Sequence, residues 1–553
     1  MKKIVEMEYV FPDAENYRRR EFKDAFNRTF LVDEYIDELL KPEKSFLMGE
    51  KGTGKTAYAV YLSNNKYKNT ASELKFIRET EYQKFVSLKK EKHLDLSDYT
   101  NIWRVILLLL LAKQVAENEP SIIPKFIKFK TLNNAIDEYY YNAFSPEIIH
   151  ALNFVQEAKA AAEIMNKFAK ASGEIKETSS FSESRFQTNL LYIQSNFEKA
   201  FQEIKLSENH ILFIDGIDIR PHAIDYEEYL DCVKGLANAI WQLNNDFFPS
   251  IRDSKGRLRV ILLIRPDIFT STGLQNQNTK LRTNTVMLDW RTTYENFSSS
   301  KLYRMACKLL HSQQEKSVAQ IKTPEEVWEH YFPYEIKSSF HTDKAFIGFL
   351  RNSFYRPRDI IMMLFFLQEN CKEKGELKKD SFNVEDFDNS DFKRKLADYL
   401  LSEIKDQISF YYNDQDYELF IKFFEYLNGS VRFNQDEFQE AYKNLTEYVK
   451  SSGYETPKFM DSANKFLQFI YELNIISFIE DIEGHKPLIH WCFRDRSFAN
   501  IAPKVKLNAR YEIFYGLARA VNTGKKRLAQ GEAQKHQVHR KRRRRSKSSS
   551  SQN

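Results

Sequence analysis

The sequence predicts an α/β protein built on a five-stranded parallel sheet. Five short apolar runs have the length and composition of buried strands, and they lie at 45–48, 74–77, 211–214, 260–264 and 285–288. Long stretches with helical periodicity separate them, which is typical of strands that alternate with helices in a parallel sheet. The stretch 113–200 includes the Ala-rich segment 158–170 and shows no strand pattern. We interpret it as a helical insertion.

Length and charge favour a multidomain chain whose basic character is confined to its C-terminal tail. The chain has 553 residues, which is enough for several domains, and a formal net charge of +6. Residues 524–553 carry 11 Lys and Arg against one Glu, so this segment is +10 and residues 1–523 are −4. A hydrophobic content of 42% excludes global disorder. Any electrostatic attraction to nucleic acid is therefore expected from the tail.

Three features favour a cytoplasmic protein without a membrane anchor. The longest aliphatic run, 105–112, has eight residues, whereas a membrane span needs roughly 20, so we predict a buried helix. The N-terminal residues lack the apolar stretch of a signal peptide. The four cysteines lie far apart and form no CxxC pair, which favours a reducing compartment over a disulfide framework or a zinc site.

A phosphate-binding loop directly follows the first predicted strand. The segment 49–56 fits the pattern G-x-x-x-x-G-K-[ST] at every position. Its glycines let successive backbone N–H groups converge on phosphate oxygens, at the start of a helix. The pattern predicts that Lys55 contacts the β- and γ-phosphates and that Thr56 binds Mg²⁺. The predicted nucleotide-binding residues of the loop are Gly49, Gly52, Thr53, Gly54, Lys55 and Thr56.

Acidic residues at the end of the third predicted strand complete the expected site. Asp215 follows four apolar residues, at the point where the strand leaves the sheet. We predict that Asp215 binds Mg²⁺ together with Thr56, and that Asp218 orients and polarises the attacking water. A strand-end turn remains the alternative for Asp215, and a helix cap remains the alternative for Asp218.

Three arginines are candidates for contact with the γ-phosphate. Arg265 follows the fourth predicted strand and points towards the phosphate unless it pairs with Asp267. Arg282 lies near the rim of the sheet, before the fifth strand. Arg358, in the segment 355–359, lies at a helix start with Pro at its first position. A solvated arginine is the alternative for Arg282 and Arg358.

The rest of the chain predicts further modules. From 298 to 400 only helices are expected. Between 417 and 493 the predicted order is helix, strand, helix, helix and hairpin, which is the order of a winged helix. We predict the strand at 430–433, a helix capped by Asn434 and Glu437, a helix at 462–473 and strands at 476–480 and 488–493. A last amphipathic helix is expected near 507–521, and 524–553 is expected to be disordered.

These motifs together resemble the AAA+ ATPases of the origin-recognition type and the related STAND NTPases. Asp215-Gly-Ile-Asp218 looks like the STAND form of the Walker B motif. The resemblance implies that Arg265 is a sensor-1 arginine, that Arg358 is the sensor-2 arginine of a lid, and that Arg282 is an arginine finger acting on a neighbouring subunit. Residues 11–15 and the Phe-rich helix that follows look similar to a little-characterised family of bacterial P-loop ATPases.

The implied organisation is a P-loop ATPase core at 1–297, a helical lid at 298–400, a winged-helix domain at 405–523 and the basic tail. Gly216 stands where most AAA+ proteins carry the Glu of an adjacent Asp-Glu pair, so the water-activating role passes to Asp218 and slow turnover is expected. The predicted recognition helix offers Lys465 against Glu472, and the wing offers only His485 and Lys486. This surface is a weak match for DNA phosphates and leaves an unknown protein partner open.

The sequence therefore predicts a Mg²⁺-dependent ATPase that works as a switch and, if Arg282 acts in trans, a homo-oligomer. The alternative is a DNA-associated ATPase, similar to origin-recognition or transposition ATPases, that is held on nucleic acid by its winged helix and tail. The basic clusters of the tail also fit a nuclear-localisation signal in a eukaryotic host, or a solubilising extension. Residues 278–281 do not match the guanine-recognition pattern N-K-x-D, so the sequence does not favour GTP. It contains no motif that recognises adenine either.

Overall fold

The structure is a computed structural model that describes residues 1–8, 14–77, 99–121, 124–142, 183–218, 220, 224–337, 342–484, 487–497 and 499–523. Two compact units form the chain: Met1–Val384 with Ser497–Ile501, and Glu385–Arg496 with Ala502–Asn553. This division falls inside the segment 298–400, and the predicted module boundaries stay predictions. The Ala-rich segment 158–170, the wing residues His485 and Lys486, residues 11–13 and the tail 524–553 lie outside the described residues.

The five predicted strands form one parallel sheet in the first unit, which confirms the predicted α/β class. The strands are β1 (Phe46–Met48), β2 (Thr70–Phe76), β3 (Asn209–Asp215), β4 (Leu258–Ile264) and β5 (Thr285–Met287). Their order is β2-β3-β4-β1-β5, and every pair is parallel. Because β4 lies between β1 and β3, the loop after β1, the end of β4 and the end of β3 meet at one edge of the sheet.

The helices of the first unit surround this sheet and continue beyond it. They are α1 (Arg20–Thr29), α2 (Glu34–Leu39), α3 (Lys55–Asn64), α4 (Tyr99–Asn118), α5 (Lys125–Lys128), α6 (Lys130–Asn142), α7 (Glu183–Glu203), α8 (Tyr226–Gln242), α9 (Pro266–Ser271), α10 (Gln277–Asn284), α11 (Lys301–His311), α12 (Lys316–Ile321), α13 (Pro324–Tyr331), α14 (Ala345–Arg351) and α15 (Pro357–Glu373).

The apolar run 105–112 lies in α4 and is buried from end to end, which confirms the prediction of a buried helix. This helix is long and apolar enough to cross a membrane, but 78% of its most apolar 18-residue window is buried inside the protein. It packs against α7 and α8. The Trp103 indole N–H donates to the Cys232 carbonyl of α8 at 3.1 Å, and the Gln114 amide donates to the Ile211 carbonyl of β3 at 3.2 Å. These bonds hold α4 against α8 and β3.

A buried carboxylate, Glu119, joins the end of α4 to the start of β3. It accepts hydrogen bonds from the Ser207 backbone N–H and hydroxyl, both at 2.7 Å, and from His210 Nε2 at 2.8 Å. Lys128 Nζ lies 3.2 Å from the same carboxylate. Burial alone would raise the pKa of Glu119, but the hydrogen bonds from His210 and Ser207 outweigh it and lower the pKa to about 2. The ionised carboxylate therefore stabilises the fold.

Replacing Glu119 by Gln is expected to destabilise the first unit by about 3 kcal/mol at pH 7. The reason is that Ser207, His210 and Lys128 lose the buried carboxylate with which they interact. The folded pKa lies below the ordinary value of 4.5, so this stabilisation is present above about pH 4.5 and declines as the pH falls towards 2. Thermal unfolding of the variant and the parent at pH 7 and at pH 3 measures the difference. Glu117→Gln, an exposed change in the last turn of α4, is the control. An equal loss at both pH values would contradict this account.

In the described part of 298–400 the chain is helical, as predicted, except for one short hairpin. Strands β6 (Glu335–Lys337) and β7 (Thr342–Lys344) form an antiparallel pair that the sequence pattern did not predict. Each strand has only three residues, and β7 is largely exposed. Strands this short and polar lack the apolar alternation on which strand prediction depends.

The second unit contains a small antiparallel sheet and an aromatic core. The order of its strands is β10 (Leu488–Trp491), β9 (Ile476–Glu480), β11 (Arg510–Ile513) and β8 (Arg432–Phe433). The Asn434–Glu437 capping box is present, as predicted. Phe423, Phe438 and Phe466 form part of the core, with the Phe423 and Phe466 rings 4.8 Å apart. The elements are α16 (Val384–Asp388, which begins at the last residue of the first unit), α17 (Ser390–Ser409), α18 (Asp414–Tyr426), β8 (Arg432–Phe433), α19 (Gln435–Ser452), α20 (Ala463–Glu472), β9 (Ile476–Glu480), β10 (Leu488–Trp491), α21 (Cys492–Asp495) and β11 (Arg510–Ile513).

The amphipathic helix predicted near 507–521 is wrong. Strand β11 occupies Arg510–Ile513 and pairs with β9 and β8, and residues 515–522 form turns. Tyr511 and Ile513, two residues apart, are both fully buried, which is a strand period. Leu517 and Val521 then follow at spacings of four and are buried as well. Together, the spacing of two in the strand and the spacing of four after it resemble the apolar face of a single helix, which is why the sequence predicts a helix.

Candidate functional site

The predicted phosphate-binding loop connects β1 to α3. Gly52 and Gly54 have φ angles of +85° and +96°, which favour glycine. The loop is closed by its own groups, because the Thr53 hydroxyl donates to the Glu50 carbonyl at 2.8 Å. Lys55 begins α3 and is buried, with 7% of its surface exposed. The loop therefore places the first backbone N–H groups of a ten-residue helix, and the Lys55 ammonium, at the carboxyl edge of the sheet.

Lys55 is held over the loop by backbone carbonyls. Its Nζ donates to the Gly49 carbonyl at 2.9 Å and to the Glu50 carbonyl at 3.3 Å. Burial lowers the pKa of Lys55, and the nearby charges of Asp218 and Asp215 oppose that change. A buried ammonium with neutral acceptors is well placed to bind an anion, because anion binding would replace weak carbonyl contacts by charged hydrogen bonds.

Thr56 and Asp215 lie in direct contact. The Thr56 hydroxyl donates to Asp215 Oδ2 at 2.6 Å, and the Gly216 N–H donates to Oδ1 at 2.8 Å. Asp215 is 5% exposed. Burial raises the pKa of its carboxyl, and the charge of Asp218 raises it further. A carboxylate and a hydroxyl at this separation are oxygen ligands of the kind that Mg²⁺ prefers, and a divalent cation would offset the burial of the carboxylate.

Two arginines act electrostatically on the same lysine. Arg265 and Arg358 both lower the pKa of Lys55, after the larger effects of burial and the two aspartates. Three positive and two negative side chains therefore meet at one edge of the sheet, and Asp218 is half-buried there. The structure thus brings together all of the predicted site residues except Arg282.

Arg265 is paired within its own turn. Its Nε donates to Asp267 Oδ1 at 3.0 Å, and its Nη2 donates to Asp267 Oδ2. Arg265 is 4% exposed, whereas the Asp267 side chain is 30% exposed. This is the pairing that the sequence left as the alternative. Pairing with Asp267 is compatible with a contact to the γ-phosphate, since the guanidinium of Arg265 has five N–H donors.

Arg358 lies against the loop through its backbone. Its N–H donates to the Gly52 carbonyl at 3.3 Å, and a Cβ on Gly52 would lie 3.2 Å from the Cβ of Arg358. Arg356 adds a second contact, because its Nη1 donates to the Lys51 carbonyl at 3.1 Å. These two hydrogen bonds hold the start of α15 against the loop.

Asp359 holds Arg356 in place for this contact. The two side chains form a buried pair, with Nη2 to Oδ1 at 2.7 Å and Nε to Oδ2 at 3.0 Å, and the Phe354 N–H donates to the same carboxylate. The sequence drew attention to Arg358 and assigned no role to Arg356. The i,i+3 spacing of Arg356 and Asp359 at a helix start was the signal available.

Trp290 supports the loop from the other side. Its indole N–H donates to the Thr53 carbonyl at 2.9 Å, and its side chain is 6% exposed. Trp290 lies three residues after the end of β5, so it reaches the loop only because β5 pairs with β1. No local pattern in the sequence marks this residue.

Arg282 is not brought to this site. It lies on α10, which precedes β5, whereas the phosphate-binding loop follows β1. Since β1 and β5 are parallel, the two positions belong to opposite edges of the sheet. The Arg282 side chain is exposed, and its expected role on a neighbouring subunit stays a prediction.

Gly216 explains why the site has no adjacent acidic pair. Its φ is +92°, and a Cβ at this position would lie 2.5 Å from the Ile77 carbonyl oxygen and 3.1 Å from the Ile77 nitrogen. The strand-end backbone passes too close to β2 for any side chain. A Glu next to Asp215 is therefore excluded by this packing, which leaves Asp218 as the second carboxylate.

Replacing Gly216 by Ala is expected to destabilise the first unit by at least about 2 kcal/mol, because left-handed strain and a backbone clash add together. Gly273→Ala is the matched control, since Gly273 also has a positive φ of +57° but no atom within 4 Å of a Cβ. Thermal unfolding of both variants measures the difference. If Gly216→Ala costs no more than Gly273→Ala, the close approach to Ile77 is not restrictive.

No protein-family model matches this sequence, and a search of curated proteins finds no match either.

Proposed function

We propose that the protein is a Mg²⁺-dependent ATPase of the AAA+/STAND type that works as a nucleotide-controlled switch. The observation that supports this most is the convergence at one edge of the sheet of Lys55, the Thr56–Asp215 pair, Asp218 and two arginines. A glycine-rich loop alone would bind a phosphate. The loop together with a buried carboxylate, a second carboxylate and cations contains the groups that phosphoryl transfer needs.

In the proposed mechanism, Lys55 and the N–H groups at the start of α3 bind the phosphates of ATP. Thr56 and Asp215 would hold Mg²⁺, which neutralises phosphate charge. Asp218 orients the attacking water and accepts its proton. Arg265, shared with Asp267, and Arg358 bind the oxygens on which negative charge increases as the phosphoryl group is transferred.

The switch follows from the contact between α15 and the loop. Arg356 and Arg358 both bond to carbonyls of the loop, at Lys51 and Gly52. Phosphate bound by the loop N–H groups would change the position of these carbonyls and add a charged partner for Arg358. Nucleotide state would thereby be transmitted to the helices after the sheet, and a slow hydrolysis step would set how long the ATP-bound state lasts.

Phosphate release from ATP by the full-length protein tests this function. We expect Mg²⁺-dependent release, below about 1 s⁻¹, which is slow for an enzyme, and we expect EDTA to abolish it. GTP in parallel determines the base preference, on which the sequence is silent. If the protein neither binds ATP nor releases phosphate from it in the presence of Mg²⁺, the proposal fails.

The alternative function, a DNA-associated ATPase, depends on the +10 charge of residues 524–553. The predicted recognition helix adds little, because its cation, Lys465, already pairs with Asp461 at 2.8 Å. We therefore propose that any nucleic-acid partner binds through the tail.

Deleting 524–553 is expected to abolish DNA binding at low salt, because the loss of cations removes the counterion-release contribution to affinity. Fluorescence anisotropy with a labelled duplex, measured between 50 and 200 mM salt (about 10³–10⁵-fold weaker binding is typical for six to ten phosphate contacts), gives the result. DNA affinity that survives the deletion would instead point to the winged-helix surface.

A further inference from the structure

A cavity in the first unit lies apart from the proposed ATP site. It has a volume of about 440 Å³ and lies between the C-terminal half of α8 and the segment 273–280, which leads into α10. None of its lining residues belongs to the phosphate-binding loop, β3 or α15. Its lining includes Lys234, Asn238, Trp241, Gln275, Asn276 and Lys280. We call it the α8–α10 cavity.

Lys280 is a buried ammonium without a carboxylate partner in the described part of the chain. The residue is 6% exposed. Its Nζ donates to the Gln275 carbonyl at 2.7 Å and lies 4.7 Å from the centre of the Trp241 ring. Burial lowers the pKa of Lys280. An ammonium has three donors, so this one retains hydrogen-bonding capacity and an uncompensated charge beside the cavity.

Most of the other residues that line the cavity are also basic or polar. Lys234 is half-buried, and among the described residues no carboxylate lies within 4 Å of it. Within the described ranges, no acidic side chain lines the cavity, whereas amides from Asn238, Gln275 and Asn276 do. Two ammonium groups, amide donors and an aromatic ring around one cavity form a site for an anion that also has a polar or aromatic body.

We propose that the α8–α10 cavity binds a phosphate-bearing small molecule of the size of a mononucleotide. A phosphate is favoured over a carboxylate because its two negative charges match two lysines and its oxygens accept from several donors at once. The volume lies within the range of small-molecule sites, roughly 300–1,000 Å³. This inference uses no residue of the proposed ATP site, so either can fail alone.

Trp241 provides a selective signal for binding. The chain has five tryptophans, and the other four (Trp103, Trp290, Trp328 and Trp491) are at most 6% exposed. Trp241 is half-buried. Acrylamide quenching of tryptophan fluorescence in the folded protein therefore reports mainly on Trp241, and a ligand in the cavity is expected to reduce it.

The experiment titrates AMP, and separately inorganic phosphate, into the full-length Lys55→Ala protein while quenching is measured. We expect AMP to protect Trp241, and Lys280→Gln to weaken its binding at least about tenfold, the effect of losing one charged hydrogen bond. Lys234→Gln, at a half-buried position, keeps the test valid if Lys280→Gln unfolds. Lys255→Gln, an exposed change nearby in sequence, should bind AMP like its parent.

Protection by inorganic phosphate as well as by AMP would also support the proposal and would assign most of the affinity to the phosphate group. No protection by either ligand would overturn it, and so would AMP binding that neither lysine variant weakens. Tighter binding of a ten-nucleotide single strand than of AMP would overturn it in favour of a nucleic-acid surface.

Discussion

Replacing Lys55 by Ala is expected to weaken MgATP binding by at least about 100-fold, which corresponds to about 3 kcal/mol lost with the charged hydrogen bonds to phosphate. In the structure the Lys55 ammonium is buried beside Asp215 and Asp218 and bonds only to neutral carbonyls of the loop among its described hydrogen-bond partners. It is therefore available to exchange these contacts for phosphate oxygens. Isothermal titration with MgATP under conditions that prevent turnover measures the change.

The control for this variant is Lys41→Ala, an exposed lysine of the same unit whose side chain is 52% exposed. It should bind MgATP as the parent does. Circular dichroism must show that Lys55→Ala remains folded. If a folded Lys55→Ala protein binds MgATP within threefold of the parental affinity, the loop is not the site that binds the phosphates of ATP.

Replacing Asp218 by Asn is expected to separate binding from turnover. The amide has the size of the carboxylate but cannot accept a proton, and a positioned general base contributes about 10²–10⁴ to the rate. We expect kcat for ATP hydrolysis to fall at least about 100-fold. We expect the affinity for MgATP to change less than threefold, because Thr56 and Asp215 keep their contact.

Asp231→Asn is the matched control, since Asp231 is exposed on α8 and lies outside the site. It should hydrolyse ATP at the parental rate. Two results would contradict the role of Asp218: turnover that the change leaves unaltered, or affinity that falls as much as turnover does.

The strands of the sheet were predictable because each contains a short apolar run, which in β1, β3 and β4 is buried, whereas most of β2 is only half-buried. In β3 and β4 this run ends at a charged residue, Asp215 and Arg265. The site residues at strand ends followed from the same fact, since parallel strands deliver their carboxyl ends to one edge. Strand order did not follow from the sequence. The placement of β4 between β1 and β3, which sets Arg265 between the loop and Asp215, is a long-range property of the pairing.

The contacts that support the loop could not be predicted from local sequence patterns either. Trp290 reaches Thr53 across β5 and β1, and Arg356 reaches Lys51 from more than 300 positions away in the sequence. Sequence spacing suggests helix faces and turns, but such distant contacts depend on the complete packing. The incorrect helix near 507–521 has a related cause, because pairing with β9 decides the conformation of Tyr511 and Ile513.

The close packing of Gly216 against Ile77 explains why no acidic residue directly follows Asp215. With the Ile77 backbone 2.5 Å from any Cβ, the chain has no space for a Glu beside Asp215. The second carboxylate then comes from the turn, at Asp218. This arrangement fits the proposed slow ATPase, in which the coupling through Arg356 and Arg358 would matter more than the speed of turnover.

A crystal structure of the full-length protein with Mg²⁺ and a nonhydrolysable ATP analogue would test the proposed ATP site. We expect the analogue's phosphates to lie at Lys55 and the start of α3, with Mg²⁺ beside Thr56 and Asp215. We also expect Lys55 to have left the Gly49 and Glu50 carbonyls. An analogue bound elsewhere, with Lys55 still bonded to those carbonyls and Thr56 still bonded to Asp215 without a metal, would contradict the proposed site.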